Sequence, residues 1–191
     1  MEQSLQGKRV AVLMTDGVEQ VEYTQPRAYL EERGARVTLV SPKRAGEQVQ
    51  GVRHKEPGDT FTVDLAVVDA RPEDYDGLLL PGGAANPAAL RISVEAISFI
   101  RVFGEANKPI AAICHGPWTL IDAGLARARH LTSAPALQAE LREAGAEWTD
   151  DEVVVDDRLI TSRGPDDLPA FNDAFMKELI VTGMPDTGPG A

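Results

Sequence analysis

Short aliphatic runs alternate with helix-length segments along most of this chain, and that rhythm restricts its fold more than any other feature. Lys8 to Met14 (KRVAVLM) is an apolar, valine-bearing run that ends at the turn signal Thr15-Asp16-Gly17, so it reads as a buried strand. Glu19 to Arg33 follows with helical spacing, and Gly34 is placed to close it. Ala35 to Val40 is a second strand, stopped by Ser41-Pro42. A strand, a helix and a strand in this order favour parallel pairing and an α/β architecture.

Residues 43–70 break the rhythm. Gly46, Gly51, Pro57 and Gly58 punctuate two β-like stretches, Gln48 to His54 and Thr60 to Val63, which predict a hairpin at the edge of the sheet. The alternation then resumes. Leu78 to Leu80 and Pro109 to Ile113 read as buried strands, with Ser93 to Glu105 helical between them. Pro117 to Ala123 and Pro135 to Ala144 read as helices closed by Gly124 and Gly145. Glu147 to Val155 and Arg158 to Ser162 are late strands joined at Asp156-Asp157, and Pro165 to Val181 is the last helix. The prediction is one α/β domain over 8–181, with 1–7 and 182–191 as short extensions and a frayed tail from Met184 to Ala191.

The chain has 191 residues, 43% of them hydrophobic but only 5% aromatic, which predicts a core of Val, Ile, Leu and Ala. Nineteen Lys and Arg against 30 Asp and Glu give a formal charge of −11, so phosphate backbones and anionic membranes repel it. The nearest approach to a basic stripe, Lys43-Arg44, is only two residues long, and no nucleic-acid or membrane partner is expected. No apolar run approaches the roughly 20 residues of a membrane span. Met1 to Lys8 lacks a signal-peptide core, and one cysteine cannot form an intramolecular disulfide, so a reducing, cytoplasmic setting is expected.

Ligands of open parallel sheets bind beyond the carboxyl ends of the strands. Three segments end strands there: Asp16-Gly17-Val18-Glu19, Pro81-Gly82-Gly83 and Cys114-His115-Gly116-Pro117. Ala112 and Gly116 flank Cys114 at the spacing of small residues around a nucleophile elbow, where a strand turns sharply into a helix. A helix beginning at Pro117 would present its positive end to the thiol and lower its pKa toward neutrality. The competing reading is a buried, inert cysteine. Glu19 has two readings as well. Asp16 and Glu19 match a capping pattern, which spacing favours, while a protonated Glu19 facing the thiol would stabilise a thiolate. Pro81-Gly82-Gly83 is either a plain turn or a backbone opened to hold an oxyanion. His115 is a neighbouring base or a packing residue. No His, Cys and carboxylate spacing suggests a metal, and no cofactor is expected.

The stretch Lys108-Pro-Ile-Ala-Ala-Ile-Cys-His-Gly-Pro117 closely resembles the elbow of the ThiJ/PfpI family. So do Asp16-Gly-Val-Glu-Gln-Val-Glu22, Tyr75-Asp-Gly-Leu-Leu-Leu-Pro-Gly-Gly83 and Thr161-Ser-Arg-Gly-Pro-Asp-Asp-Leu-Pro-Ala-Phe171, in order from about Lys8 to Val181. The likeness is greatest to the intracellular protease and general stress protein branch. It implies a flavodoxin-like three-layer sandwich of the class I glutamine-amidotransferase-like superfamily, built as a homodimer or larger homo-oligomer. It also implies Cys114 as nucleophile, Glu19 as its carboxylate partner, His115 as the adjacent histidine, and the backbone N–H groups of Gly83 and His115 as oxyanion donors. Peptidase-like members carry a glutamate soon after Pro-Gly-Gly, whereas Ala84 to Arg91 holds no acid. His130 lacks the H-x-E context of a glutaminase. The expected function is a cysteine-dependent stress-response hydrolase that takes a peptide or a small reactive aldehyde. The alternative is a non-enzymatic protector or sensor working through oxidation of Cys114.

Overall fold

A computed structural model describes residues 4–181, so the tail predicted from Met184 onward lies outside the described residues. In chain order the elements are β1 (Arg9–Leu13), β2 (Val18–Glu19), α1 (Gln20–Glu31), β3 (Arg36–Ser41), β4 (Gln48–Arg53), β5 (Glu56–Thr62), β6 (Leu65–Ala66), β7 (Gly77–Leu80) and α2 (Ala85–Arg91). They continue with α3 (Val94–Glu105), β8 (Ile110–Ile113), α4 (Trp118–Asp122), β9 (His130–Leu131), α5 (Gln138–Glu143), β10 (Glu147–Trp148), β11 (Val153–Asp156), β12 (Leu159–Ser162) and α6 (Leu168–Val181). The central sheet has the order β11-β12-β8-β7-β1-β3-β6 and is parallel except for β11, which runs antiparallel to β12.

Both faces of this sheet are covered, which is why its strands are apolar without a polar alternation. Ala11, Leu13, Leu78, Leu80 and Ala112 point to one side, against Leu90 of α2, Phe99 and Phe103 of α3, Leu120 of α4 and Leu141 of α5. Their sequence neighbours Val10, Val12, Leu79, Ala111 and Ile113 point to the other, against Tyr23 and Leu30 of α1 and Phe171, Phe175 and Leu179 of α6. This period of two places two cores on one sheet, giving the three-layer α/β sandwich the sequence predicts. Leu5, ahead of the domain start expected at residue 8, is fully buried in the second core, and its N–H donates to the Arg33 carbonyl at 2.8 Å.

The hairpin forms, but not at the edge of the central sheet. Strands β4 and β5 pair antiparallel, and β4 pairs in parallel with the two residues of β2, making a separate three-stranded sheet. Asp16 anchors it by accepting from Gln50 N at 2.8 Å and pairing with Lys43 Nζ at 2.6 Å. The hairpin is thereby tied to the loop after β1, at the carboxyl end of the main sheet. Local alternation signals a hairpin but carries no information about which strand receives it. The edge beyond β3 belongs instead to β6.

Candidate active site

Strand β1 has β3 on one side and β7 on the other, so the chain reverses direction of winding between β1 and β7. That switch point opens a crevice at the carboxyl ends of the strands. Buried Asn86 at the start of α2 closes its floor. Its Oδ1 accepts from Thr15 N at 2.8 Å, and its Nδ2 donates to the carbonyls of Pro81 and Gly82 at 3.1 and 3.0 Å. The loop after β1 and the Pro81-Gly82-Gly83 turn after β7 are thus held as one unit.

Cys114 stands at the end of β8 with φ of +61°, a left-handed conformation that costs a non-glycine residue of order 1 kcal/mol or more. The surrounding bonds enforce it. Cys114 N donates to Ser162 O at 3.1 Å, its carbonyl accepts from Ala134 N at 2.8 Å, and Gly116 N closes the turn onto Ile113 O at 2.8 Å. A Cβ on Gly116 would overlap the Leu80 carbonyl oxygen, so the small residue expected two positions after the cysteine is a steric requirement. The sulfur accepts from the backbone N–H groups of Gly83 and His115, and it lies 3.2 Å from His115 Nδ1. The elbow, the histidine and the two backbone donors therefore meet where the sequence places them.

The carboxylate that reaches the thiol is Glu22, and this corrects the expectation of Glu19. Helix α1 starts at Gln20, which leaves Glu19 outside the helix as its N-cap residue, without a side-chain cap bond. Its two carboxylate oxygens turn to the hairpin and accept from His54 N at 3.2 and 3.1 Å, so it is neither a cap nor the thiol's partner. Glu22, one turn on, is fully buried and hydrogen-bonds with the Cys114 side chain. Its Oε2 accepts from Gly82 N at 2.7 Å, and its Oε1 has no nitrogen or oxygen partner. A Cβ on Gly82 would sit 2.5 Å from Glu22 Oε2 and 2.7 Å from Cys114 Cβ, so only glycine fits between the two groups. A carboxylate on the buried stripe Glu22, Pro26 and Leu30, at helical spacing, is the sequence signal that identifies it.

Burial pushes the Glu22 carboxyl up to about 8. Burial and then the charge of Glu22 push the Cys114 thiol up to about 12, against the pull of the two backbone donors. The lowering expected from a helix beginning at Pro117 is not found. Helix α4 starts at Trp118 and is only five residues long, so its end carries little field to the sulfur. The upward pressures on the two acids depend on each other, since a proton on Glu22 removes the charge that raises the thiol. With that charge gone, burial remains as the upward pressure on the thiol, opposed by the two backbone donors.

Burial lowers the His115 pKa, which keeps the ring neutral. Among the described residues no carboxylate hydrogen-bonds to that ring, and Arg91, at the end of the acid-free segment, pairs with Asp122 and stacks over Trp118. His130 bonds Thr149 Oγ1 at 2.8 Å. The described residues contain no group of three or more His, Cys, Asp or Glu able to hold a metal ion, and no helix among them is long and apolar enough to cross a membrane. Beside the elbow a cleft of about 390 Å³ is lined by His54, Pro135, Asp150, Arg163, Asp166 and Asp167. Pro135 and Arg163 each follow a residue bonded to the Cys114 backbone.

An open parallel sheet with a left-handed cysteine at its switch point and a buried glutamate against the sulfur defines a cysteine-centred flavodoxin-like protein. The chain belongs to the DJ-1/PfpI family, which matches residues 8–178. Protein/nucleic acid deglycase 2 of Escherichia coli is 43% identical over 173 residues, covering 90% of this chain and 98% of that protein. A deglycase of Pyrococcus abyssi is 40% identical over 171 residues, covering 90% of this chain and 99% of its own length. Among solved structures, Drosophila melanogaster DJ-1beta superposes with a TM-score of 0.82 at 29% identity, covering 91% of this chain and 90% of that one.

Proposed function

We propose that the protein is a cysteine-dependent enzyme of the hydrolase/deglycase type, acting on dicarbonyls such as methylglyoxal and on their adducts with amines. Cys114 is the nucleophile and Glu22 the proton carrier. The observation that carries this reading is the buried Glu22 carboxyl, with one oxygen unpartnered, against a sulfur that already accepts two backbone N–H bonds. A proton on Glu22 satisfies that oxygen and leaves the sulfur as thiolate. Two relatives named as deglycases support the substrate class.

For a free dicarbonyl the chemistry needs no side chain beyond these. The thiolate adds to the aldehyde carbon, and the carbonyl electron pair moves onto oxygen, which takes the Glu22 proton. The resulting Glu22 carboxylate removes the hydrogen of that carbon and returns a proton at the neighbouring ketone carbon, while the hydroxyl proton passes to the former ketone oxygen. One carbon is oxidised as the other is reduced, giving a thioester. Water releases it as a 2-hydroxy acid and restores the thiol, so methylglyoxal plus water becomes lactate. The backbone donors of Gly83 and His115 hold the charge that moves between sulfur and oxygen. A neutral His115 without a carboxylate partner suits this route better than peptide hydrolysis, where an imidazolium must protonate a leaving amine.

The test is methylglyoxal turnover by wild type, Cys114→Ser, Glu22→Gln and Glu19→Gln. Cys114→Ser is expected to lose all turnover, and Glu22→Gln about 100- to 1,000-fold, with Glu19→Gln losing far less. Equal rates in wild type and Cys114→Ser overturn the proposal.

A further inference from the structure

Pro81-Gly82-Gly83 is a turn with little shape of its own, because glycine backbone visits either sign of φ at small cost. Both glycines are nonetheless obligatory. A Cβ on Gly82 would fall between Glu22 and Cys114, and one on Gly83, whose φ is +81°, would overlap the Gly17 carbonyl oxygen. The turn therefore cannot be stiffened by side chains at these two positions, yet it must aim two N–H groups. That of Gly82 donates to Glu22 Oε2 at 2.7 Å, and that of Gly83 to the Cys114 sulfur. Successive N–H groups aimed the same way make a concavity for negative charge, and a loose chain holds such a shape poorly.

The aim comes from the far side of the same peptide units. In a planar trans peptide the carbonyl and the next N–H point in opposite directions, so holding one fixes the other. The Pro81 carbonyl shares its unit with the Gly82 N–H, and the Gly82 carbonyl shares its unit with the Gly83 N–H. Both carbonyls accept from Asn86 Nδ2, at 3.1 and 3.0 Å. The side chain that holds them is itself fixed. It is fully buried, and its Oδ1 accepts from Thr15 N at 2.8 Å, so the amide cannot turn over without setting its oxygen against two carbonyls. The two hydrogens of one amide thus back both the donor to the carboxyl and the donor to the sulfur.

We propose that Asn86 is the positioning residue of the Cys114 site: its amide grips two consecutive peptide units from behind, aiming the Gly82 N–H at Glu22 and the Gly83 N–H at the sulfur. The proposal rests on the cysteine chemistry above and adds the residue that keeps its donors in place. A donor fixed beforehand needs no reorganisation as charge moves from sulfur to oxygen. Loss of Asn86 is therefore a loss of rate more than of substrate binding. It also weakens the hold on negative charge at both acids, which raises the pH at which Cys114 becomes reactive.

The experiment compares wild type, Asn86→Ala, Asn86→Ser and Leu90→Ala. Serine has one hydrogen to give where Asn86 gives two. Leu90 is buried on the same helix but packs in the first core, whereas Cys114 borders the second, so its truncation costs stability without loosening the turn. With each protein well below its melting temperature, kcat for free methylglyoxal is expected to fall at least about 10-fold in both Asn86 variants, with KM within about 3-fold of wild type. The profile of Cys114 alkylation against pH is expected to move up by about one unit in the same two variants. Leu90→Ala is expected to melt earlier and keep the wild-type profile and kcat. In wild type, both Nδ2 protons are expected to exchange slowly with solvent, and fast exchange overturns the proposal without recourse to a variant. An unmoved profile in the Asn86 variants, or an equal shift in Leu90→Ala, overturns it as well. Wild type inactive on methylglyoxal overturns the deglycase reading alone, since alkylation still reads the aim of the two donors.

Discussion

The Glu22 and Cys114 pair carries the proposed chemistry, and its cost to the fold is measurable. In the unfolded chain the Glu22 carboxyl titrates near 4.5, whereas in the fold burial holds it up to about 8. Between those values the unfolded state has lost a proton that the native state keeps, so stability falls as pH rises through that window. Glu22→Gln removes the titration, and the amide still offers Gly82 N–H an acceptor. The variant is expected to melt near wild type at pH 4.5 and to be more stable at pH 8, by on the order of 4 kcal/mol. Thermal melts at the two pH values check this, and a gap that stays constant with pH contradicts it. Alkylation of Cys114 against pH supplies an independent readout: two steps are expected in wild type and one in Glu22→Gln. The sequence displayed the cysteine, the histidine and the glycine donors because each stands in the chain where a strand must turn. It did not display which glutamate meets the sulfur. Glu19 and Glu22 are one helical turn apart, and only the start of α1 at Gln20 decides which of them points inward.

At the scale of elements, the site is two strand-ending turns pressed together. Alanine at Gly82 would force its methyl between Glu22 Oε2 and the Cys114 side chain, with His115 N 3.0 Å away. Overpacking of this kind costs typically 1–3 kcal/mol. Because the displaced atoms are those of the pair, Gly82→Ala is expected to abolish thiol alkylation at neutral pH while losing about 2 kcal/mol of stability. Alkylation at the wild-type rate would show that the close approach has no chemical role. The hairpin responds differently. Glu19→Ala removes the acceptor of the His54 amide, and that amide is expected to exchange with solvent several-fold faster, as the loss of about 1 kcal/mol implies. Unchanged exchange would mean the tip holds itself. The runs of β1, β7 and β8 were legible because burial on both faces makes them continuous and apolar. The hairpin's position was not, because β2, the strand that receives it, is two residues long and leaves no pattern. Helix α2 escaped notice for a related reason: its seven residues follow the glycine turn and include Pro87, so they read as loop.

The whole molecule brings together groups that are far apart in the chain. Topology alone carries Glu22, Gly83 and Cys114 to one crevice, since β1, β7 and β8 are adjacent in the sheet and end on the same side. Around that crevice the chain spreads a formal charge of −11, and the cleft beside the elbow adds Asp150 and Asp166 to its rim. A field of this sign concentrates cations and repels phosphates within about 10 Å at 0.1 M salt, and added salt removes the bias. Raising ionic strength from 0.02 to 0.5 M is therefore expected to lower kcat/KM for methylglyoxal adducts on lysine-rich peptides. The same change is expected to raise it for adducts on a guanine nucleotide and to leave free methylglyoxal unchanged. A salt response of the same sign for all three substrates would mean that the acidic surface takes no part in selection. Opposite responses would make the charge of the molecule, and not the thiol, the element that favours protein adducts over nucleic-acid ones.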